Sequence, residues 1–113
     1  MSVDREILNM QSSDVAAMVS LAGTTAVVTG GGGGIGGGTS RLFAAAGATV
    51  VLNDIDAELA ESAVADIEAD GGTAVAVVGD IREASTVEEL HATATEVAGG
   101  AVDVLVNNVG DYR

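Results

Sequence analysis

Residues 25–36 read Thr-Ala-Val-Val-Thr-Gly-Gly-Gly-Gly-Gly-Ile-Gly, a short apolar run that leads directly into five consecutive glycines. The run 25–29 predicts a buried parallel strand, and the residues from Ile35 to Ala46 predict a helix. A glycine-rich turn between a strand and a helix brings bare backbone N–H groups and a helix N-terminus up to a bound phosphate. The stretch therefore predicts a phosphate-binding turn, although a glycine run alone is also compatible with a flexible loop.

Strands and helices continue to alternate beyond this stretch. The later predicted strands are Thr49 to Asn53, Thr73 to Val78 and Val102 to Val106, and the helices between them are expected to begin at an Asp56 N-cap and at a capping box of Ser85 and Glu88. Such alternation with short connections indicates an α/β fold, a doubly wound parallel sheet with helices on both faces. We expect residues 1–22 to form a leader and residues 23–113 to form one domain.

Apolar residues recur at helical spacing in each predicted helix, which indicates the face that packs on the sheet. The expected buried residues are Ile35, Leu42, Phe43 and Ala46 in the first helix, Leu59, Ala60, Ala63, Val64 and Ile67 in the second, and Val87, Leu90, Ala94 and Val97 in the third. The single histidine, His91, is expected at the edge of the third stripe or in solvent.

The composition excludes several classes of function. The 113 residues carry a net charge of −13, and their four basic residues are all arginines. Such a field repels nucleic acid and anionic membranes, so neither is an expected partner. The absence of cysteine removes disulfides, thiol catalysis and cysteine–metal sites, and no spacing of acidic residues indicates a metal site. Because no signal peptide or membrane-spanning stretch is recognisable, we expect a cytoplasmic protein.

Polar residues follow the ends of all four predicted strands. They are the glycine turn, Asp54, the segment Gly79-Asp80-Ile81 and the segment Asn107-Asn108-Val109-Gly110. Ligands of parallel α/β sheets bind beyond the carboxyl ends of the strands, so these loops are expected to meet at one crevice. Asp54 follows Gly34 by 20 residues, the distance at which an acid accepts hydrogen bonds from an adenosine ribose. The alternative is a turn aspartate without a ligand. A Walker A loop is excluded, because no Lys-Ser/Thr follows the glycines.

At these positions the chain resembles the short-chain dehydrogenase/reductase family over about residues 21–113. The family's Thr-Gly-x-x-x-Gly-Ile-Gly matches Thr29, Gly30, Gly34, Ile35 and Gly36, its Asn-Asn-Ala-Gly matches Asn107, Asn108 and Gly110 with Val109 in place of alanine, and its adenine-flanking aspartate–aliphatic pair matches Asp80 and Ile81. The resemblance implies a Rossmann-type dinucleotide-binding fold, present here as four strands and three helices, in an oxidoreductase that transfers hydride to or from an alcohol or carbonyl.

The resemblance also implies the cofactor and the residues that bind it. The implied cofactor-binding residues are Gly30, Gly32, Gly33, Gly34, Ile35, Gly36, Asp54, Asp80, Ile81 and Asn108. NADP-preferring relatives usually carry a basic residue at the positions that are Gly33 and Ile55 here. With no cation at those positions and an acid at Asp54, we expect NAD to be preferred over NADP.

No catalytic residue can be assigned from the resemblance. The family uses a serine and a Tyr-x-x-x-Lys pair beyond the Asn-Asn-Ala-Gly motif, whereas this chain contains no lysine, and Tyr112 begins no such pair. We expect the dinucleotide-binding part of a longer enzyme, truncated after the fourth strand and inactive alone. Its small alcohol or carbonyl substrate and a homo-oligomeric assembly would belong to the longer form. Two alternatives are a stand-alone NAD-binding or interaction module and an S-adenosylmethionine-dependent methyltransferase, which also uses a glycine turn and an acid after the second strand.

Overall fold

Four strands alternate with three helices in the computed structural model, which describes residues 20–109. The elements are β1 (Thr25–Thr29), α1 (Gly34–Ala45), β2 (Thr49–Asp54), α2 (Ala57–Ala69), β3 (Thr73–Val78), α3 (Ala84–Ala98) and β4 (Val104–Asn107). The leader predicted for residues 1–22 lies outside the described residues except for its last three positions. Within the described part of the chain, no helix is both long and apolar enough to span a membrane.

All four strands are parallel and lie in the order β3-β2-β1-β4. The order reverses between β1 and β4, so a topological switch point lies at the carboxyl ends of these two strands. Val27 at the centre of β1 pairs with Val51 on one side and with Leu105 on the other. The predicted doubly wound parallel sheet is therefore confirmed.

The sheet buries two separate cores, one on each face. Alternate strand residues point to opposite faces, so Val28 and Leu52 face α1 and α2, whereas Val27 and Val51 face α3. The helices contribute mostly small residues, which let each helix lie close to the strands. The buried helix residues are Ala44, Ala60, Ala63 and Ile67 on the first face, and Leu90 and Ala94 on the second.

The burial predicted for α1 is largely wrong. Ile35 is 83% exposed and Leu42 is 68% exposed, while Phe43 is only partly buried. The side of α1 that faces inward instead carries Gly36, Gly37, Ser40 and Ala44. Glycines contribute no apolar signal to a periodicity, yet they let the helix backbone itself pack against the preceding turn, and that contact fixes which side of α1 is buried.

The stripes of the other two helices are partly confirmed. Ala60, Ala63 and Ile67 of α2 are buried and Val64 packs against them, but Leu59 is 44% exposed. In α3, Leu90 and Ala94 are buried, whereas Val87 and Val97 are 48% and 37% exposed. His91 is exposed, as expected. In each of these helices the residues at the centre of the predicted stripe are buried, and residues at its margins are exposed.

Helix starts and the fourth strand differ in detail from the predictions. Asp56 caps α2 as predicted, since its carboxylate accepts a hydrogen bond from the Leu59 N–H at 3.1 Å. The Ser85–Glu88 capping box is wrong, because α3 begins at Ala84 after Glu83, whose backbone carbonyl accepts the first-turn N–H groups. The strand β4 begins at Val104 rather than at Val102. Asp103 is the residue before β4, and its carboxylate accepts a hydrogen bond from the Thr25 N–H at 2.8 Å.

Candidate functional site

The glycine turn leaves β1 sharply and delivers the chain to α1. Gly30 and Gly34 have φ values of +61° and +58°, the left-handed region that glycine adopts without strain. The N-cap of α1 is Gly33, which has no side chain to bond the first-turn N–H groups, and no acidic residue lies in that turn. The N-terminus of α1 therefore presents backbone donors and the positive end of the helix dipole without a side-chain cap.

The turn is packed so tightly that several of its glycines have no room for a side chain. A Cβ atom on Gly31 would lie 2.8 Å from the Leu52 Cβ, and one on Gly36 would collide with the Gly30 carbonyl oxygen. The Ser40 hydroxyl, buried beneath the turn, lies 2.9 Å from the Gly31 carbonyl oxygen and 3.0 Å from that of Gly36. Gly31 and Gly36 are therefore required by packing, since a side chain at either position would overlap its neighbours.

Asp54, at the end of β2, connects the glycine turn to the start of α2. Its Oδ2 accepts the Gly32 N–H at 3.0 Å, and its Oδ1 accepts the Asp56 N–H at 3.0 Å. A carboxylate offers about four lone-pair sites, so these two bonds leave further acceptor capacity. Asp54 is half-buried and lines a cavity, and this geometry leaves both the turn role and the ribose role open to it.

The loop after β3 is held against the end of β2 by the buried side chain of Asn53. The Asn53 Nδ2 donates to the carbonyl oxygens of Val77 at 2.9 Å and Gly79 at 3.1 Å. The Gly79 N–H in turn donates to the Asp54 carbonyl oxygen at 3.0 Å. On the other side of this loop, the buried Thr86 of α3 leaves no room for a Cβ on Gly79. These contacts place Asp80 and Ile81 beside the end of β2.

The end of β4 is joined to the end of β1 through Thr29. The Thr29 hydroxyl donates to the Asn107 Oδ1 at 3.1 Å and accepts the Asn108 N–H at 3.1 Å. The Asn108 Nδ2 lies 3.4 Å from the Gly30 carbonyl oxygen. The matched residues of two distant motifs, Thr29-Gly30 and Asn107-Asn108, are therefore in direct contact.

Asp80 forms a two-point ion pair with Arg82. The Arg82 Nε lies 3.0 Å from the Asp80 Oδ1, and the Nη2 lies 2.7 Å from the Oδ2. The hydrogen bonds from Arg82 lower the pKa of Asp80 to about 2, and the carboxylate raises the pKa of Arg82. The pair is therefore ionised throughout the neutral range.

These strand ends surround one cavity of about 520 Å³. The residues that line it are Gly30, Asn53, Asp54, Ile55, Gly79, Asp80, Ile81, Arg82, Asn107 and Val109. It brings together four of the sequence-predicted site residues: Gly30, Asp54, Asp80 and Ile81. Asn108 touches Gly30 at its border, while Gly32 to Gly36 form the turn and helix start beside it.

Sequence reasoning missed Asn53 and Arg82 as members of this cavity. Asn53 is a polar residue at the end of an otherwise apolar strand and is 1% exposed, a pattern that could have identified it. Arg82 carried no such signal, since a charged residue in a short loop is usually solvated. Arg82 and Asp54 line the same cavity, whereas the positions of Gly33 and Ile55 carry no cation, as the sequence shows.

Known proteins match this chain over almost all of the described residues. The profile of the family described as short chain dehydrogenase matches residues 24–113. Hydroxyacyl-CoA dehydrogenase ChsB1 of Mycobacterium tuberculosis is 47% identical over 72 residues, which are 59% of this chain and 22% of that protein. The chain thus spans about a fifth of that relative's length.

Solved structures repeat the same architecture. A 7α-hydroxysteroid dehydrogenase complexed with NADH and 7-oxo glycochenodeoxycholic acid has a TM-score of 0.78 and 40% identity, over 90% of this chain and 38% of that one. A metagenomic short-chain oxidoreductase in complex with NADP has a TM-score of 0.74 and 35% identity, over 80% of this chain and 41% of that one. The two similar structures hold different nicotinamide cofactors.

Proposed function

This chain belongs to the short-chain dehydrogenase/reductase family, and on that premise we propose that it binds the adenosine and pyrophosphate part of a nicotinamide dinucleotide, NAD in preference to NADP. The observation that carries the proposal is the cavity beyond the strand ends, which joins the glycine turn to Asp54 and to the Asp80-Ile81 pair. Such a crevice at a switch point is where open α/β sheets bind their ligands.

The glycine turn would hold the pyrophosphate. Its support is the uncapped N-terminus of α1, where the N–H groups of Gly34, Ile35 and Gly36 precede the first intrahelical bond, from the Gly37 N–H to the Gly33 carbonyl. Anions bind at such helix ends because the donors and the dipole both favour negative charge. The 83% exposure of Ile35 fits a residue that covers a ligand rather than the core.

Asp54 would accept hydrogen bonds from the adenosine ribose and disfavour a 2′-phosphate. Gly33 has no side chain. Ile55, which follows Asp54 in the sequence, is apolar and 66% exposed, so neither residue offers a positive charge. Among the described residues Arg82 is the cation that lines the cavity, but its guanidinium is engaged by Asp80. The balance of charge at the cavity therefore favours the cofactor without the extra phosphate.

We further propose that the complete protein is an oxidoreductase acting on an alcohol or carbonyl substrate, in the cytoplasm and as a homo-oligomer. The bound cofactor supplies the hydride chemistry, while the residues of this chain bind and orient its adenosine half. Because the 113 residues contain no lysine, they lack the family's Tyr-x-x-x-Lys pair, and we expect no turnover from them alone. A stand-alone nucleotide-binding module is the second candidate, because the residues that line the cavity would serve nucleotide binding alone.

The test is a binding panel with the 113-residue chain. Because the chain has no tryptophan, NADH and NADPH emission can be followed without overlapping protein fluorescence. We expect saturable NADH binding, weaker NADPH binding and no measurable binding of S-adenosylmethionine by calorimetry. NADPH binding as tightly as NADH would contradict the preference, and S-adenosylmethionine binding more tightly than NADH would contradict the assignment of the ligand.

A further inference from the structure

Arg82 is placed where a positive charge is otherwise scarce. Among residues 20–109 the arginines are Arg41 and Arg82, and only Arg82 lines the cavity beyond the strand ends. Arg41 lies on α1, where it pairs with Asp66 of α2 at 2.9 Å. Both arginines are therefore ion-paired with an aspartate, but only Arg82 lines the candidate site.

The ion pair with Asp80 fixes the plane of the Arg82 guanidinium. The bonds use the Nε and Nη2 edge, with Nε also 3.2 Å from the Asp80 Oδ2, so carboxylate and guanidinium meet edge to edge. The Asp80 Oδ1 also accepts the Arg82 backbone N–H at 2.9 Å, which ties the carboxylate to the same loop. An edge-on pair leaves both faces of the guanidinium outside it, and the side chain is 83% exposed.

The pair has no evident role in stability. Exposed ion pairs contribute roughly 0–1 kcal/mol to folding, and this one joins residues only two positions apart, so it holds no elements together. What it does is hold a flat cation, in one orientation, at the wall of a cavity whose other walls include Ile55 and Ile81. A flat cation among apolar walls suits an aromatic base.

We propose that Arg82 is a further cofactor-binding residue, whose guanidinium plane stacks on the adenine, and that Asp80 is the positioning residue for that plane. The inference rests on the proposed function and deepens it, because it names what recognises the base.

The experiment measures ADP-ribose binding to the full chain by calorimetry, for the wild type and for Arg82→Lys and Arg82→Gln. Lysine keeps the charge but has no plane, so stacking predicts that both variants bind about threefold to thirtyfold more weakly. Arg41→Gln removes the same charge at a residue that does not line the cavity, and it is expected to bind ADP-ribose more tightly than either Arg82 variant does. The loss in Arg82→Lys should persist at high salt, where long-range attraction is screened.

The outcomes separate this inference from the proposed function. ADP-ribose binding by Arg82→Lys that equals the wild type would overturn stacking and leave a charge effect only, with the proposed function intact. Equal binding by all Arg82 variants would remove Arg82 from the site altogether. Failure of the wild-type chain to bind ADP-ribose or NADH would overturn the proposed function and this inference together.

Discussion

Asp54 has the turn role that its sequence position left open, and its place at the cavity supports the proposed ribose role. Its carboxylate fastens the glycine turn through Gly32 and the start of α2 through Asp56, so it shapes the site before any ligand binds. The same carboxylate lines the cavity and keeps free lone pairs. The test compares two cofactors, because even the isosteric Asp54→Asn keeps only one of the two acceptor oxygens that the N–H groups of Gly32 and Asp56 use.

Asp54→Asn is expected to weaken NADH binding by about 1–3 kcal/mol, the usual loss for a charged hydrogen-bond partner. NADPH binding should fall less, because the change also removes a repulsion of the 2′-phosphate, and the NADH-to-NADPH affinity ratio should narrow. Fluorescence titrations measure both affinities. Asp56→Asn is the matched control: it removes the same charge two residues away, and asparagine also caps helices well. Equal losses for the two cofactors would mean that Asp54 acts only through the turn.

At the scale of elements, the start of α1 is where side-chain volume is most restricted. Gly36 and Gly37 are buried, and a Cβ on Gly37 would lie 3.0 Å from both the Gly32 carbonyl oxygen and the Arg41 Nη1. Gly38 lies in the same helix with nothing within 4 Å of the Cβ that it lacks. The glycines of α1 are therefore of three kinds: Gly36 and Gly37 are required by packing, Gly34 by its positive φ, and Gly38 by neither.

Gly38→Ala is expected to stabilise the chain by about 1 kcal/mol, the difference in helix propensity between the two residues. Thermal unfolding should show this as a rise of roughly 4–8 °C in Tm for a domain of this size. Gly36→Ala is the comparison within the same helix, and it should destabilise the chain, because its Cβ would also lie 2.6 Å from the Asn108 Nδ2. A Gly38→Ala variant with an unchanged or lower Tm would show that this position is constrained by something other than its contacts.

The elements themselves were largely predictable, and the reasons for the failures are physical. The bounds of β1 and β3 match because each strand is a short, mostly apolar run that stops at a glycine, Gly30 after β1 and Gly79 after β3. The buried side of α1 was not predictable from periodicity, since backbone packing at Gly36 decides it. The convergence of loops at the strand ends followed from topology, whereas the position of Arg82 depends on a loop conformation that no periodicity reports.

At the scale of the whole molecule, the outer edge of β4 is the most exposed apolar surface of the sheet. Within residues 20–109 no strand pairs with that edge. Leu105 pairs with Val27 of β1 and so lies on the α3 side of the sheet, yet it is 67% exposed. Unpaired strand edges with apolar side chains promote association between copies, and the net charge of −13 opposes it.

The 113-residue chain is expected to self-associate, more strongly at high salt because screening weakens the repulsion between its acidic surfaces. Sedimentation velocity at low and high salt measures this. Leu105→Lys should shift the population toward monomer, because a charged residue on an edge strand opposes pairing. Leu42→Lys, at a site 68% exposed on α1, should not. A chain that stays monomeric at every salt concentration would contradict the prediction.

The bonds beyond the strand ends have a thermodynamic consequence. The Gly31 N–H donates to the Asn53 carbonyl oxygen at 2.8 Å and the Gly79 N–H to that of Asp54 at 3.0 Å, so the ladder between strands continues into the loops that form the cavity. Ordering a backbone residue costs about 1–2 kcal/mol, and here that entropy is already lost on folding. A ligand entering this rim meets a preorganised receptor, and its affinity is not reduced by ordering the loops that receive it.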